Sequence, residues 1–296
     1  MNAAARLMLL MLALAASPLS VAQTARHAAG AAAPAGHPAV TGDGPACITC
    51  HRDVTAARVV HGPVAAGQCR TCHDVDNSTG VRRVTVKGAG PADSTAALCV
   101  SCHQDLGDRL KQDHRHAPVA SGKCTVCHDP HGSPFRFQLP VEAGRACISC
   151  HQEIADAIQQ AFVHPPAAAS CQICHDPHAG AQPGQLRARS NTVCLACHVE
   201  AAANQVAADA ASLFGAHSAE AMDRLAAGGS RILLDASLAA GHPTRGHPIE
   251  GRADPSRTGR SLECVSCHNP HGSAGAKLLR FGATGVSSLC IRCHGM

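Results

Sequence analysis

The sequence predicts a mostly irregular chain with short α-helices and little or no β-sheet, arranged as an elongated array of repeated units. Three features of the 296 residues lead to this expectation: only 2% aromatic residues with neither Trp nor Tyr, abundant Gly (27) and Pro (18), and 18 Cys. Aromatic side chains usually supply much of the buried area of a core, whereas Ala, on which the 45% hydrophobic content leans heavily, buries little. We therefore expect something other than side chains to fill the interior.

Residues 1–22 have the pattern of an export signal. Arg6 precedes an apolar run from Leu7 to Ala16, and Ser20-Val21-Ala22 supplies the small residues of a cleavage site. The run is about ten residues long, where a membrane-spanning helix needs about 20, so we expect no membrane span in the mature chain. Residues 23–46, rich in Ala, Gly and Pro, are expected to form a flexible linker. The expected location is the periplasm, with outer-membrane association or secretion as alternatives.

Nine copies of a Cys-x-x-Cys-His motif use every cysteine of the chain. The cysteines are Cys47, Cys50, Cys69, Cys72, Cys99, Cys102, Cys124, Cys127, Cys147, Cys150, Cys171, Cys174, Cys194, Cys197, Cys264, Cys267, Cys290 and Cys293. The histidines that complete the motifs are His51, His73, His103, His128, His151, His175, His198, His268 and His294. Nine chance occurrences of His after Cys-x-x-Cys would have a probability on the order of 10⁻¹⁰ in a chain of this composition.

Three chemistries compete for cysteine pairs in an exported protein. Disulfides predict scattered spacings and give no reason for a following His. Zinc ribbons need Cys-x-x-Cys pairs but not a His directly after each one. Covalent haem attachment needs this order, because two thiols add to the porphyrin vinyl groups and the adjacent His becomes the proximal iron ligand. The sequence therefore predicts nine covalently attached haems c, which would also fill the interior.

The remaining histidines recur at fixed places between the motifs and are candidates for the second axial ligand. A His-x-Pro element holds His61, His116 and His164, and a Pro-His element after a motif holds His131, His178 and His271. His37 and His247 stand before Pro in similar segments, which makes eight expected distal ligands. His114, His217 and His242 are further candidates for a ninth, and which His serves which haem stays open at this point.

The motifs form pairs that start at Cys47, Cys99, Cys147 and Cys194, with a last single motif at 290–294. A period of about 50 residues is typical of stacked repeat units. Within pairs the motifs are 22, 25, 24 and 70 residues apart, so the fourth pair carries an Ala-rich insertion at 199–240 with apolar residues at helical spacing. The insertion is either a helical hairpin or a pair that lost its cysteines, and an ordinary packing helix is favoured over a partner-docking one.

The CxxCH…His-x-Pro…CxxCHxPHGS arrangement resembles multihaem c-type cytochromes of the doubled CxxCH motif family over nearly all of residues 47–296. The resemblance implies an extracytoplasmic electron carrier with bis-histidine haems in a chain, organised by haem rather than by a protein core. It implies redox proteins as donor and acceptor, with an outer-membrane porin–cytochrome complex as one candidate partner. Nucleic acid is not an expected partner, because the net charge is only +4 and no aromatic platform is present.

The rival hypothesis is a multihaem oxidoreductase acting on a nitrogen or sulfur oxyanion. Such an enzyme needs an iron with an open position, and the chain has no Cys-x-x-Cys-Lys motif and no Tyr to mark one. The first pair departs from the repeat, since His73 is followed by Asp74-Val75-Asp76 without a Pro-His element. That motif is therefore the first place where we would look for an open iron. A haem store is a third, less favoured hypothesis, and no catalytic residue is predicted.

Overall fold

The computed structural model describes residues 45–76, 83–88, 95–198, 213–214, 219–227, 246–283 and 285–294. The export signal, the linker up to residue 44 and most of the insertion lie outside these residues. His37, His217 and His242 also lie outside them.

The described residues form short helices joined by irregular chain, which confirms the predicted fold class. The α-helices are α1 (Pro45–Ile48), α2 (Gly62–Ala65), α3 (Ala96–Val100), α4 (Gln104–Arg109), α5 (Ala117–Ala120), α6 (Ala143–Ile148), α7 (Gln152–Ala157), α8 (Pro165–Ala169), α9 (Ser190–His198), α10 (Ala219–Ala227), α11 (Cys264–Cys267) and α12 (Val286–Cys290). Single 3₁₀ turns lie at Arg52–Thr55, Cys69–Thr71, Cys124–Val126, Arg136–Gln138, Cys171–Ile173, Pro183–Gln185 and Ala276–Leu278. Within the described residues, no helix is long and apolar enough to span a membrane.

The strands form two-stranded antiparallel pairs, and three of these pairs join consecutive repeats. The strands are β1 (Val59–Val60), β2 (His73–Asp76), β3 (Arg83–Val86), β4 (His114–Arg115), β5 (Gly132–Ser133), β6 (Phe162–Val163), β7 (Ala179–Gly180) and β8 (Gly272–Ser273). β1 pairs with β5, β4 with β7 and β6 with β8, whereas β2 and β3 form a local hairpin. Each of the three inter-repeat pairs therefore brings a His-x-Pro element next to a Pro-His element from further along the chain.

Each His-x-Pro histidine stands directly before a short helix. His61, His116 and His164 have extended backbone angles, and the helices α2, α5 and α8 that follow them have Pro in the first turn. Proline suits this position because its missing N–H would have no partner there and its φ is already helical. The local sequence thus ends the extended segment at the histidine and begins a helix at the next residue.

Few side chains are buried, and the largest buried cluster joins the insertion to the third repeat. Phe214 is 1% exposed and packs with Ile173, Ala196 and Ala221, and Met222 lies against this group. Helix α10 also contacts α8. The described part of the insertion therefore packs against the third repeat.

A hydrogen-bonded loop precedes the Cys264 motif. The buried carboxylate of Asp254 accepts hydrogen bonds from Ser256 N (2.8 Å), Ser256 Oγ (2.7 Å) and Arg257 Nε (2.7 Å). Arg257 Nη2 also contacts Glu263 Oε2 at 3.2 Å. Burial by itself raises the pKa of Asp254, but hydrogen bonds from Ser256, Ser266 and Arg257 lower this pKa overall, well below its usual range. The loop depends on an ionised Asp254.

Candidate haem-attachment sites

The cysteines and motif histidines line one continuous cavity of about 5250 Å³. An ordinary pocket for a single small ligand measures about 300–1,000 Å³, so this cavity has room for several large groups. All 18 cysteines are free thiols in this structure. Burial raises the pKa of the Cys174 thiol to about 11, so the uncharged thiol predominates there at neutral pH.

The cysteines do not converge as they do in a zinc site. Structural zinc is held by four ligands around one point. Within the described ranges, no group of three or more His, Cys, Asp or Glu side chains has that arrangement. The motifs instead present two thiols and one imidazole along the cavity wall.

The first motif of each predicted pair and the last motif at 290–294 are here called first-type motifs, and the second motif of each pair is called a second-type motif. Each of four first-type motifs has its histidine facing a histidine from earlier in the chain, which is a His-x-Pro histidine in three cases and His247 of the His247-Pro248 segment in the fourth. The ring centres of these four pairs are 5.9–6.2 Å apart: His61 with His103, His116 with His151, His164 with His198, and His247 with His294. The first three pairs have rings within 13–22° of parallel. The rings of His247 and His294 are nearly perpendicular, at 85°.

Each of three second-type motifs has its histidine facing a Pro-His histidine from later in the chain. The pairs are His73 with His131, His128 with His178, and His175 with His271. Their ring centres are 5.9–6.2 Å apart and their planes lie 8–16° from parallel. Across the described residues, seven motif histidines thus face a histidine from a neighbouring repeat.

The spacing of the facing rings fits one iron between each pair. Metal–imidazole nitrogen bonds are about 2 Å long and each ring centre lies roughly 1 Å behind its nitrogen, so two axial imidazoles have centres about 6 Å apart. The observed separations of 5.9–6.2 Å match this value. Together with the cavity and the adjacent cysteine pairs, the facing histidines fit covalently attached haem with two axial imidazoles.

Backbone carbonyls orient the histidines of the His-x-Pro elements. Nδ1 of His61 donates to Pro130 O and Nδ1 of His164 donates to Pro270 O, both at 3.0 Å. The backbone N–H of the same histidines donates to the carbonyl of His131 (3.0 Å) and His271 (3.3 Å). When Nδ1 carries the proton, Nε2 keeps the lone pair that a metal needs. The inter-repeat strand pairs therefore set both the position and the tautomer of these rings.

Burial also keeps the rings neutral. It lowers the pKa of several described imidazoles, which favours the uncharged form that binds metals. The imidazoles concerned are His116, His128, His164, His175 and His271.

The second-type motif histidines donate to a carbonyl nine residues further on. Nδ1 of His128, His175 and His268 lies 2.7 Å from the carbonyl oxygen of Phe137, Gly184 and Lys277, respectively. These three acceptor residues have left-handed φ angles of 60°, 68° and 60°. His73 differs, because it begins strand β2 and its buried Nδ1 has no hydrogen-bond partner among the described residues.

Contacts between cysteines show that neighbouring motifs follow one another in chain order. Within three pairs of motifs the first cysteines lie close enough to interact, as Cys99 with Cys124, Cys147 with Cys171, and Cys194 with Cys264. Between the second motif of one pair and the first motif that follows it, the second cysteines lie close enough to interact. These cysteines are Cys72 with Cys102, Cys127 with Cys150, Cys174 with Cys197, and Cys267 with Cys293. From Cys69 to Cys293, each motif is therefore adjacent to the next one along the chain.

The doubled CXXCH motif family matches residues 61–108, 116–156, 164–203 and 255–296, which is more than half of the chain. The chain belongs to the doubled CXXCH motif family. Paired motifs of this kind indicate a multihaem c-type cytochrome with covalently bound haem c. A comparison with curated proteins gave no match.

The four matched segments divide this cytochrome differently from the pairing that the spacing predicted. Each segment groups a second-type motif with the following first-type motif, as Cys69 with Cys99 in residues 61–108. Three segments begin at a His-x-Pro histidine, and each of these faces the later motif of its own segment, as His61 faces His103. With this division, the long insertion falls between two segments.

The structure brings most of the proposed distal histidines of the cytochrome to a motif histidine. His61, His116, His131, His164, His178, His247 and His271 all do so. His114 lies in β4 opposite Gly180, and no ring contact joins it to a described motif histidine. His37, His217 and His242 lie outside the described residues. The motif at Cys69–His73, which has no Pro-His element directly after it, also has a facing histidine, because His131 faces His73.

Sequence reasoning missed the residue that follows each second-type motif histidine. Asp129, Asp176 and Asn269 each accept a hydrogen bond from the backbone N–H of the histidine two residues later, at 2.9, 3.0 and 3.1 Å. This local turn positions His131, His178 and His271. The signal that could have identified these residues is the Asp or Asn that stands before the Pro-His element in the repeated CHDPH, CHDPH and CHNPH segments.

Proposed function

We propose that this multihaem cytochrome carries electrons along a chain of nine covalently attached haems c, most or all with two histidine ligands. The observation that carries the proposal is the set of seven facing imidazole pairs, which would occupy both axial positions at each of these motifs. Bound haem supplies reversible one-electron chemistry at its iron. A site with both axial positions taken by histidine has none left for a substrate, which favours a carrier over an enzyme.

The protein would hold each haem with residues from two repeats. Two cysteines of one motif would hold the porphyrin through thioether bonds, and the motif histidine and a histidine from a neighbouring repeat would hold its iron. Because the inter-repeat strands carry these second ligands, attachment at one motif would help to order the next. The chain-order contacts between motifs support an arrangement in which electrons pass between adjacent motifs.

The two other motif histidines, His51 and His268, would receive ligands from outside the described residues. In the described repeats, a His-x-Pro histidine faces the next first-type motif. We therefore propose His37, which stands before Pro38 and precedes the first motif, for His51. His268 departs from the other second-type motifs, because the only histidine after His271 is His294, which faces His247. For His268 we therefore propose His242 or His217, from earlier in the chain.

We further propose that the protein is exported by the 1–22 signal and works in the periplasm or at the outer membrane. Its partners would be a redox donor and a redox acceptor protein, with a porin–cytochrome complex as one candidate. Haem c attachment and the predicted signal both support an extracytoplasmic location.

An absorption spectrum of the dithionite-reduced holoprotein, recorded before and after carbon monoxide is added, tests the proposed function. We expect a pyridine haemochrome content of nine haems per chain and no spectral change with carbon monoxide. A change equivalent to one haem would favour the oxidoreductase alternative. Variants of His51 and His268 would then be compared first, because their proposed ligands are not among the described pairs.

A further inference from the structure

The residue after each second-type motif histidine forms the same turn in three repeats but carries a charge in only two. Asp129, Asp176 and Asn269 all accept the backbone N–H of the following Pro-His histidine at 2.9–3.1 Å. The three turns are therefore alike in geometry. The chemical difference is that Asn269 places a neutral amide where the other two repeats have a carboxylate.

The carboxylates lie beside the rings that face the motif histidines. Asp129 Oδ1 is 3.5 Å from His131 Nδ1, and Asp176 Oδ1 is 3.6 Å from His178 Nδ1. Asp176 is the more buried of the two, and its other oxygen, Oδ2, contacts Arg109 at 2.8 Å and Arg187 at 3.8 Å. In these repeats the second axial ligand therefore has an acidic neighbour on the same turn.

A carboxylate close to a metal-bound imidazole stabilises the more positive oxidation state of the metal through its negative charge. The reduction potential of a haem falls for the same reason, since hydrogen bonding and charge around its ligands help to set it. A neutral amide in the same turn orients the histidine without this electrostatic effect. The change from Asp to Asn should thus act on the potential and leave the ligand in place.

We propose that Asn269 is a positioning residue that raises the reduction potential at the site formed by His175 and His271, relative to the potential that an aspartate would give there. This inference rests on the proposed function, because it requires His271 to be an axial ligand. The other charged groups near this site are Glu153, an exposed residue of α7 that interacts with His271, and Arg187, which interacts with His175. Neither lies on the turn that holds His271.

The test compares holoprotein variants by potentiometric titration monitored in the visible haem bands. Asn269→Asp should move about one ninth of the absorbance change to lower potential, because nine motifs each contribute one haem. The reciprocal Asp129→Asn variant should move a similar fraction to higher potential. Glu153→Gln is the matched control, because it removes a carboxylate near His271 that is exposed and therefore screened by solvent. This variant should shift the titration curve less than Asn269→Asp does.

Carbon monoxide separates failure of this inference from failure of the proposed function. Asn269→Asp should stay inert to carbon monoxide, whereas His271→Ala should gain binding at one haem. If His271→Ala gains carbon monoxide binding but the Asn269→Asp titration superimposes on that of the unmodified protein, the tuning role of Asn269 is overturned. If His271→Ala gains no binding, the axial role of His271 is wrong and the proposed function fails at this site.

Discussion

A methyl group added at Gly272 should disrupt two sites at once. A Cβ built on this residue would overlap the carbonyl oxygen of Ala157 and would lie 2.9 Å from its carbon and 3.3 Å from Phe162 O. Real Cβ atoms essentially never come closer than 3.0 Å to such an atom, so β8 would have to move by about 1 Å. The strand pair β6–β8 and the His164 N–His271 O hydrogen bond of 3.3 Å could not survive that displacement unchanged.

The expected cost of Gly272→Ala follows from this clash. Overpacking of a close backbone contact costs about 1–3 kcal/mol, and lost hydrogen bonds contribute about 0.5–1.5 kcal/mol each within that total. We expect the free energy of unfolding to fall by about 2 kcal/mol, which corresponds to a loss of roughly 4–8 °C in the unfolding temperature. Because His164 and His271 face the histidines of two different motifs, carbon monoxide should bind to as many as two haems.

Two glycines of the other inter-repeat strand pairs provide a graded series for this assay. Gly132 is equivalent to Gly272, whereas Gly180 lies one position later, because Ala179 occupies the equivalent position of β7. The closest atoms to an added Cβ lie at 3.0 Å for Gly132 and 2.9 Å for Gly180, so both substitutions should be milder than Gly272→Ala. Gly144 in α6 is the matched control, because nothing lies within 4 Å of its added Cβ. Gly144→Ala should be neutral or stabilising. Equal unfolding temperatures for Gly272→Ala and Gly144→Ala would refute the reasoning.

Three further predictions address single residues. His131→Ala should let carbon monoxide bind to one reduced haem, whereas His114→Ala should not, and equal spectra for the two variants would contradict the assignment of His131. Phe214→Ala should lower the free energy of unfolding by about 3–5 kcal/mol in denaturant titrations, because it removes the most buried large side chain of the described residues. Asp254 has a lowered pKa in the folded protein, so its contribution to stability should be present above about pH 4 and be lost as the pH falls below that value. Asp254→Asn should remove that part of the acid sensitivity, and an unchanged pH profile of unfolding would show that Asp254 does not contribute to it.

The short-range chemistry of the site could be predicted from the sequence. Cys-x-x-Cys-His contains both attachment thiols and the proximal ligand within five residues, so no knowledge of the fold is needed to recognise it. The recurrence of His-x-Pro and Pro-His elements also indicated which other histidines face the motifs. The fold class followed from the scarcity of large apolar side chains, and the structure confirms it in its short helices and its strands of two to four residues.

The turns beside the motif histidines could not be predicted in the same way. Gly184 is a residue that commonly adopts left-handed φ, but Phe137 and Lys277 occupy the equivalent positions and adopt it too. The tertiary contact overrides local preference there, because the carbonyl of each residue accepts a hydrogen bond from a motif histidine. The roles of Asp129 and Asn269 were missed for a similar reason, since their partners are set by the geometry of the turn.

The sequence by itself determined the candidate haem-attachment motifs, because Cys-x-x-Cys-His consists of residues that are adjacent in the chain. Only the tertiary structure decided which histidine faces which motif. His61 faces His103 and His131 faces His73 because β1 pairs with β5 across two repeats, and neither partner is the nearest motif that spacing alone would suggest. Identical elements in successive repeats allow several registers, and the choice among them depends on backbone hydrogen bonds and close packing between segments that are distant in the chain.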